Sequence, residues 1–403
     1  MHSPQPASGG FRCRGDSKSD LGRSHEILGL QDLNTNHSDE KCMREAIREA
    51  RKGLGRTSPN PPVGCVIARK GNIVARGYHR RAGEPHAEIE ALGNLQGRVK
   101  SGDTLYVTLE PCNHFGRTPP CTRAILKSGI RRVVVGTMDP NPDVAGGGSR
   151  VLREHGLEVV QSVLEPECRR LIEIFSKHSQ TGLPFVVAKS ALTLDGWTAT
   201  SAGNSQWITG ESSRRFVHRL RERLDAVMVG VGTVLADDPS LTVRLKNRRG
   251  RDPLRIVVDT RLRTPLGAKV LRNGSGRSLI VVGENVSPAR LEPFEKQGVT
   301  IMVCPESQGR LDLAAMMAGL GKVPVTSILL EGGATLMGEM IRQKVVDKFY
   351  IFKAPKILGG GDGVPMAAGP GPQSIDSCVR LKDLRIRRFG EDVLFIGYPE
   401  YKE

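Results

Sequence analysis

Hydrophobic periodicity in this chain switches repeatedly between the strand and the helix period, in two separate runs divided by Thr181-Gly182-Leu183-Pro184. Such alternation excludes all-helical and all-β architectures and predicts two α/β units. In the first run, Ser38-Asp39 caps a helix over 41–51 whose Met43, Ala46, Ile47 and Ala50 share a face. The rigid loop Ser58-Pro59-Asn60-Pro61-Pro62 leads into a strand over 63–68, and Lys70-Gly71-Asn72 turns back into a partner over 73–78. Helices at 86–95, 120–128 and 149–155 then alternate with strands at 104–109, 131–137 and 157–163. A hairpin followed by crossovers predicts a mixed sheet between two helical layers. A connecting helix over 165–177 reaches the divide.

The second run predicts strands at 185–192, 226–231, 254–259, 278–283, 300–304 and 327–330, helices at 211–224 and 334–343, and closing strands at 348–357 and within 379–397. A chain of 403 residues is longer than one core usually supports. The expected division is a flexible extension over 1–37, a first domain over 38–180 and a second over 181–403. The extension has no apolar block, unlike a targeting segment, and no apolar stretch approaches a membrane span. A cytoplasmic protein is expected.

The net charge of +16 suits phosphate-bearing ligands as well as nucleic acid, but 4% aromatic residues is thin for stacking on bases. The local run Arg244, Lys246, Arg248, Arg249 and Arg251 reads as an exposed loop. Eight irregularly spaced cysteines do not make a disulfide framework, so clustered ones become metal or catalytic candidates. Only Cys112 and Cys121 cluster.

Those two, with His86, carry the first chemistry. His86 opens a helix, Cys112 ends a strand, and Cys121 opens the next helix behind Pro120, where the helix dipole favours a thiolate. One imidazole and two thiolates suit a single Zn²⁺ and leave a fourth position for water, whose pKa zinc lowers toward about 7. Glu88, two residues beyond His86, is placed to shuttle the proton from water to a leaving amine. His-x-Glu followed by Pro-Cys and a second Cys is the zinc-deaminase signature. The spacing departs from the common form, since eight residues separate the cysteines. His114 in that loop is the one candidate for a fourth ligand, which would make the zinc structural and leave Glu88 idle.

The stretches 57–65, 81–88, 108–121 and Asp139-Pro140-Asn141-Pro142 with glycines 146–148 resemble the bifunctional riboflavin-biosynthesis deaminase–reductases, in which the wide cysteine spacing is normal. The resemblance runs from about Asp39 to Gly397. It implies a cytidine-deaminase-like three-layer α/β/α domain and a dihydrofolate-reductase-like α/β domain. It also implies release of the 2-amino group of 2,5-diamino-6-(5-phosphoribosylamino)pyrimidin-4-one as ammonia, followed by reduction of the ribosyl chain with NADPH to give 5-amino-6-(5-phosphoribitylamino)uracil. The partner is then a small phosphoribosyl-pyrimidine rather than nucleic acid or membrane, in a homo-oligomeric enzyme.

For the second half, no Gly-x-Gly-x-x-Gly follows a strand, which argues against a standard dinucleotide fold. Leu330-Glu331-Gly332-Gly333-Ala334-Thr335-Leu336 is a strand end, a glycine turn and a helix start, where backbone N–H groups hold a pyrophosphate. The resemblance implies NADPH contacts at Ala191, Trp207, Thr233, Asp237, Thr260, Gly333, Ala334, Thr335, Leu336, Met337, Gly338 and Glu339. It implies substrate contacts at Ser205, Arg221, Leu241, Arg244 and Glu331, and the two arginines have the chemistry to clamp a phosphate.

Three rivals remain at this point. A tRNA-adenosine type deaminase predicts the short cysteine spacing and leaves the second half unexplained. A zinc-stabilised nucleic-acid-binding module predicts steeply salt-dependent binding. A chain with one decayed half would lack an intact motif set, and both sets are intact here.

Overall fold

The computed structural model describes residues 37–115, 119–142, 147–246, 250–272, 277–307 and 309–402. The expected extension up to residue 36, the centre of the loop between the two cysteines (116–118), Gly146 and the basic pair Arg248 and Arg249 lie outside the described residues.

The first unit holds helix α1 (37–50), the hairpin β1 (Gly64–Arg69) and β2 (Asn72–Tyr78), α2 (Ala87–Gly93), β3 (Asp103–Leu109), α3 (Cys121–Ser128), β4 (Arg132–Thr137), α4 (Gly147–Glu154) and β5 (Glu158–Val160). Its five strands run in the order β2-β1-β3-β4-β5, antiparallel from β2 to β3 and parallel from β3 to β5. Along β1, Cys65 and Ile67 pack under α2, α3 and α4, while Val66 and Ala68 pack against α1. Burial on both faces is why this strand reads as a continuous apolar run rather than an alternation. Asp39 anchors α1 to the sheet by accepting the Tyr106 hydroxyl at 2.8 Å and both arms of Arg132 at 2.9 and 2.8 Å.

The link to the second unit departs from expectation in two ways. The strand expected at 157–163 is only three residues long, because Ser162 and Leu164 take left-handed backbone (φ 64° and 53°) and leave the ladder. The connecting helix is two helices, α5 (Glu165–Leu171) and α6 (Glu173–Thr181), broken at Ile172 (φ −105°, ψ 12°), and α6 stops at left-handed Gly182.

The second unit comprises β6 (Phe185–Leu192), β7 (Trp197–Ala199), α7 (Glu211–Arg223), β8 (Ala226–Gly230), α8 (Val231–Asp237), β9 (Leu254–Val258), β10 (Ser278–Gly283), α9 (Pro288–Lys296), β11 (Thr300–Cys304), β12 (Glu306–Ser307), β13 (Arg310–Leu311), α10 (Leu313–Lys322), β14 (Ser327–Glu331), α11 (Ala334–Arg342), β15 (Lys348–Lys353), β16 (Val364–Pro365), β17 (Arg380–Phe389) and β18 (Asp392–Glu400). Nine strands make one sheet in the order β11-β10-β9-β8-β14-β6-β15-β18-β17. It is parallel from β11 to β15 and closes with antiparallel β18 and β17. The stretch 379–397, expected to give a single closing strand, is a hairpin turning at Gly390 (φ 65°). Helices α8, α9 and α10 were not legible in the sequence. α8 follows β8 without a loop, and α9 carries Pro293 in its interior. Alternate residues of β8 feed two cores, Val227 and Val229 on one face and Ala226 and Met228 on the other.

Candidate active sites

The first site lies beyond the carboxyl end of β3, where α2 and α3 begin, the usual crevice of an α/β sheet. His86 is the extended N-cap residue of α2 (φ −71°, ψ 163°). Cys121 is the first residue of α3, with Pro120 as its N-cap, one position earlier than the sequence suggested. His86 Nδ1 stands 3.5 Å from Cys112 Sγ and 3.3 Å from Cys121 Sγ, and the Cys121 N–H donates to Cys112 Sγ at 3.4 Å. The three ligand atoms lie within 4.8 Å of one another. Tetrahedral zinc, at about 2.1 Å from nitrogen and about 2.3 Å from sulfur, separates such donors by roughly 3.6 Å. The side chains therefore fit zinc. His114 is exposed and outside this group, so among the described residues no fourth donor closes the site.

Glu88 is 3% exposed, and burial first, then the Cys112 thiolate, push its carboxyl up to about 7. The hydrogen bond from Cys121 and the neighbouring imidazole hold the Cys112 thiol well below the ordinary thiol range. Glu110, the acidic residue next to Pro111-Cys112, is structural: its carboxylate accepts the Ser149 N–H at 2.8 Å and the Asp139 N–H at 3.4 Å. A Cβ on Gly148 would lie 1.8 Å from the Pro111 carbonyl oxygen. Only glycine lets α4 pack beneath the turn that presents Cys112.

Two residues here escaped the sequence reading. His79 is 3% exposed and its ring meets that of His86 edge-on at 5.4 Å. Its Nδ1 donates to the Pro85 carbonyl at 3.1 Å, and its Nε2 accepts from the Asn60 amide at 3.1 Å. Burial lowers the His79 pKa, in keeping with a neutral ring. Asn60 was legible only as part of a Pro-rich loop, and His79 had no local signal.

The second site is a cleft of about 1170 Å³ over the carboxyl ends of β6, β8, β9 and β14. Ala191, Ser205, Trp207, Arg221, Thr233, Asp237, Leu241, Arg244, Thr260, Glu331, Gly333, Ala334, Thr335, Leu336 and Glu339 all line it. Met337 and Gly338 do not, because the helical period of α11 turns both into the buried face. Trp207 is 60% exposed and covered by the Arg214 guanidinium at 4.6 Å, so it is no core residue. Gly332 and Gly333 (φ 81° and 79°) make the turn that starts α11, which no side chain caps.

The expected phosphate clamp takes a different form. Arg221 turns inward: its Nε donates to Glu331 Oε1 at 2.5 Å, its Nη2 to Oε2 at 3.0 Å and its Nη1 to the Thr242 carbonyl at 3.1 Å. That fork is spent inside the protein, whereas exposed Arg244 gives one arm to Ser240 at 2.9 Å. Lys189 Nζ adds a second cation 3.7 Å from Glu331. Against the upward push of burial, Arg221 and then Lys189 hold the Glu331 carboxyl at about 2. Lys189 also went unread, although a lysine inside the apolar strand Phe185–Leu192 was a visible signal.

Comparison with known proteins agrees with this geometry. Residues 36–137 match the cytidine and deoxycytidylate deaminase zinc-binding region, and residues 184–395 match the RibD C-terminal domain. The chain is thus a zinc deaminase domain joined to a reductase domain. Riboflavin biosynthesis protein RibD of Actinobacillus pleuropneumoniae is 43% identical over 89% of this chain and 94% of its own, and that of Escherichia coli K12 is 40% identical over 88% and 98%. This chain belongs to the RibD family of bifunctional deaminase–reductases of riboflavin biosynthesis. Among solved structures, Acinetobacter baumannii RibD superposes with a TM-score of 0.79 at 35% identity, covering 91% of this chain and 99% of that one. A Thermotoga maritima diaminohydroxyphosphoribosylaminopyrimidine deaminase/5-amino-6-(5-phosphoribosylamino)uracil reductase gives 0.78 at 36%, covering 91% and 100%.

Proposed function

We propose that residues 38–180 release the 2-amino group of the diaminopyrimidine ribotide as ammonia and that residues 181–403 reduce the ribosyl chain of the product with NADPH. The observation that carries this reading is the convergence of His86, Cys112 and Cys121 beside buried Glu88. A zinc ion held by these three side chains supplies the polarisation of water that hydrolytic deamination needs at neutral pH. Glu88 takes a proton from the attacking water and delivers it to the leaving amino nitrogen, so it ends as it began. Its burial keeps bulk water from competing for that proton.

In the second cleft, NADPH supplies the hydride. The uncapped N–H groups after Gly332-Gly333 receive the pyrophosphate, and exposed Trp207 offers an aromatic face to the cofactor. Arg244 meets the 5-phosphate of the substrate, while Arg221 holds Glu331 toward the ribosyl chain together with Lys189.

The substrate is a small molecule, and among the described residues no helix is long and apolar enough to cross a membrane. We place the enzyme in the cytoplasm as a homo-oligomer whose contact involves β17. This strand is a sheet edge, and exposed Ile375, Val379, Leu384 and Ile386 gather on or beside it. The test of the two activities is incubation of the purified, zinc-loaded protein with the diaminopyrimidine ribotide, with and without NADPH. Ammonia should appear in both cases, and NADPH oxidation only with the deaminated product. Failure to release ammonia would overturn the reading.

A further inference from the structure

The loop 57–62 belongs to the first unit but touches both. On one side Asn60 donates to His79, and His79 donates to the carbonyl of Pro85, the residue that precedes His86. This fixes the backbone from which the histidine of the metal site projects. On the other side, the Ser58 hydroxyl donates to Asp225 Oδ2 at 2.8 Å and lies 3.3 Å from Thr326 Oγ1. Contact across the divide is backbone-close here: a Cβ on Gly55 (φ 79°) would stand 2.6 Å from Arg223 Cα.

Asp225 is itself firmly held. Its Oδ2 also accepts the Thr326 N–H at 3.0 Å, the Thr326 hydroxyl at 2.8 Å and the Ser327 hydroxyl at 3.3 Å, and its own N–H donates to Ser327 Oγ at 3.0 Å. The carboxylate is thereby fastened to the starts of β8 and β14, two central strands of the nine-stranded sheet.

We infer that Asp225, in the reductase half, is a positioning residue for the deaminase centre, acting through Ser58 and the Asn60–His79–Pro85 relay on His86. The physical warrant is a run of hydrogen bonds, joined by the short backbone stretches Ser58–Asn60 and Pro85–His86, from a fixed carboxylate to the residue that precedes a metal ligand. The reductase cleft lies at the opposite ends of the same strands, near Gly230 and Glu331, about 16 Å away at five residues of strand. Disturbing Ser58 therefore leaves that cleft intact.

The inference rests on the zinc reading of His86, Cys112 and Cys121, and the experiment separates the two. Full-length wild-type enzyme is first assayed for zinc; a content near one per chain secures that reading, and a wild type that binds none removes both. Zinc release to an excess of a chromogenic chelator, deaminase kcat and KM, and NADPH-dependent reduction of the deaminated substrate are then measured for Ser58→Ala, Ser58→Thr, Asp225→Asn and the double variant Ser58→Ala/Asp225→Asn. Ser58→Ala should release zinc roughly 3- to 10-fold faster, below the 10- to 100-fold typical of direct outer partners. Its deaminase kcat should fall with KM little changed, and its reduction rate should match wild type. Ser58→Thr, which keeps the hydroxyl, should restore slow release. In the Asp225→Asn background, Ser58→Ala should add nothing further. Wild-type zinc release and kcat in Ser58→Ala, additive effects in the double variant, or parallel loss of both activities would each overturn the inference.

Discussion

Arg221 reaches across from α7 and grips Glu331 at the end of β14 with two arms of its guanidinium, at 2.5 and 3.0 Å. The pair lines the reductase cleft, so it holds a carboxylate in place as well as holding the fold. Replacing Arg221 by Ala leaves the buried carboxylate with Lys189 alone, at 3.7 Å, which costs on the order of 3 kcal/mol. The sign with pH follows from Glu331, whose carboxyl sits at about 2 against an ordinary value of 4.5. Its stabilising contribution is complete above pH 4.5 and fades as pH falls toward 2. Arg221→Ala should therefore move the midpoint of acid unfolding upward, read by circular dichroism. An unchanged midpoint would show that the pair contributes nothing.

Glu331→Gln keeps the shape and removes the charge that Arg221 and Lys189 both face. Reductase kcat/KM should fall by roughly 10- to 100-fold, about 1.4–2.7 kcal/mol of transition-state stabilisation. Ammonia release should stay at wild-type rate in the same preparation. Equal loss of both activities points to unfolding instead.

Glu88→Gln isolates proton transfer in the first site. Ammonia release should drop by about 10²–10⁴, the usual range for a general acid–base, while bound zinc and NADPH oxidation with deaminated substrate persist. Retained ammonia release at even a tenth of wild type would rule Glu88 out as the proton carrier. Stripping the metal makes the complementary cut: prolonged chelation, or Cys112→Ser, should end deamination and leave reduction running, since the two sites are built on separate sheets. Reduction that stops with zinc removal would contradict independent sites.

The edge strand carries a prediction of a different kind. Ile386 is 60% exposed on β17. Ile386→Asp should shift the protein to a smaller species in sedimentation while both activities survive dilution. A wild type that already sediments as a monomer would dispose of the β17 contact.

The deaminase centre was readable because its parts carry local signals: a ligand at each of two helix starts and a strand end, within a motif of fixed order. The reductase cleft was far less so. Without the resemblance, Arg221 on an arginine-rich helix reads as a solvated face, and only the tertiary placement of β14 turns it inward onto Glu331. His79 and Asn60 lie 19 residues apart, and their hydrogen bond is set by the hairpin's packing rather than by any periodicity. The same limit hid α8, α9 and the Gly390 hairpin, where element ends depend on neighbours and not on composition. The helical turn of α11 likewise divides the span 333–339, so that Met337 and Gly338 sit on the buried face and do not line the cleft.

His218 offers a last test of the cleft. The Arg244 N–H donates to its Nδ1 at 3.3 Å, so in the neutral ring the proton sits on Nε2. Burial first, then the charges of Arg221 and Arg244, push the ring down to about 4, with Glu331 opposing. The folded protein thus keeps His218 neutral where an unfolded chain, with a histidine near 6.5, gains a proton. The unfolded state binds more protons between pH 6.5 and 4, so the contribution of His218 is fully present above pH 6.5 and is lost as pH falls through that window. Wild type should lose thermal stability from pH 7 to pH 5, and His218→Gln, which cannot titrate, should lose less. Because the ring is already neutral at pH 6 and above, the same variant should leave the shape of the reductase pH profile unchanged in that range. An equal drop in Tm for both proteins would mean that burial and the arginines beside His218 do not hold it neutral.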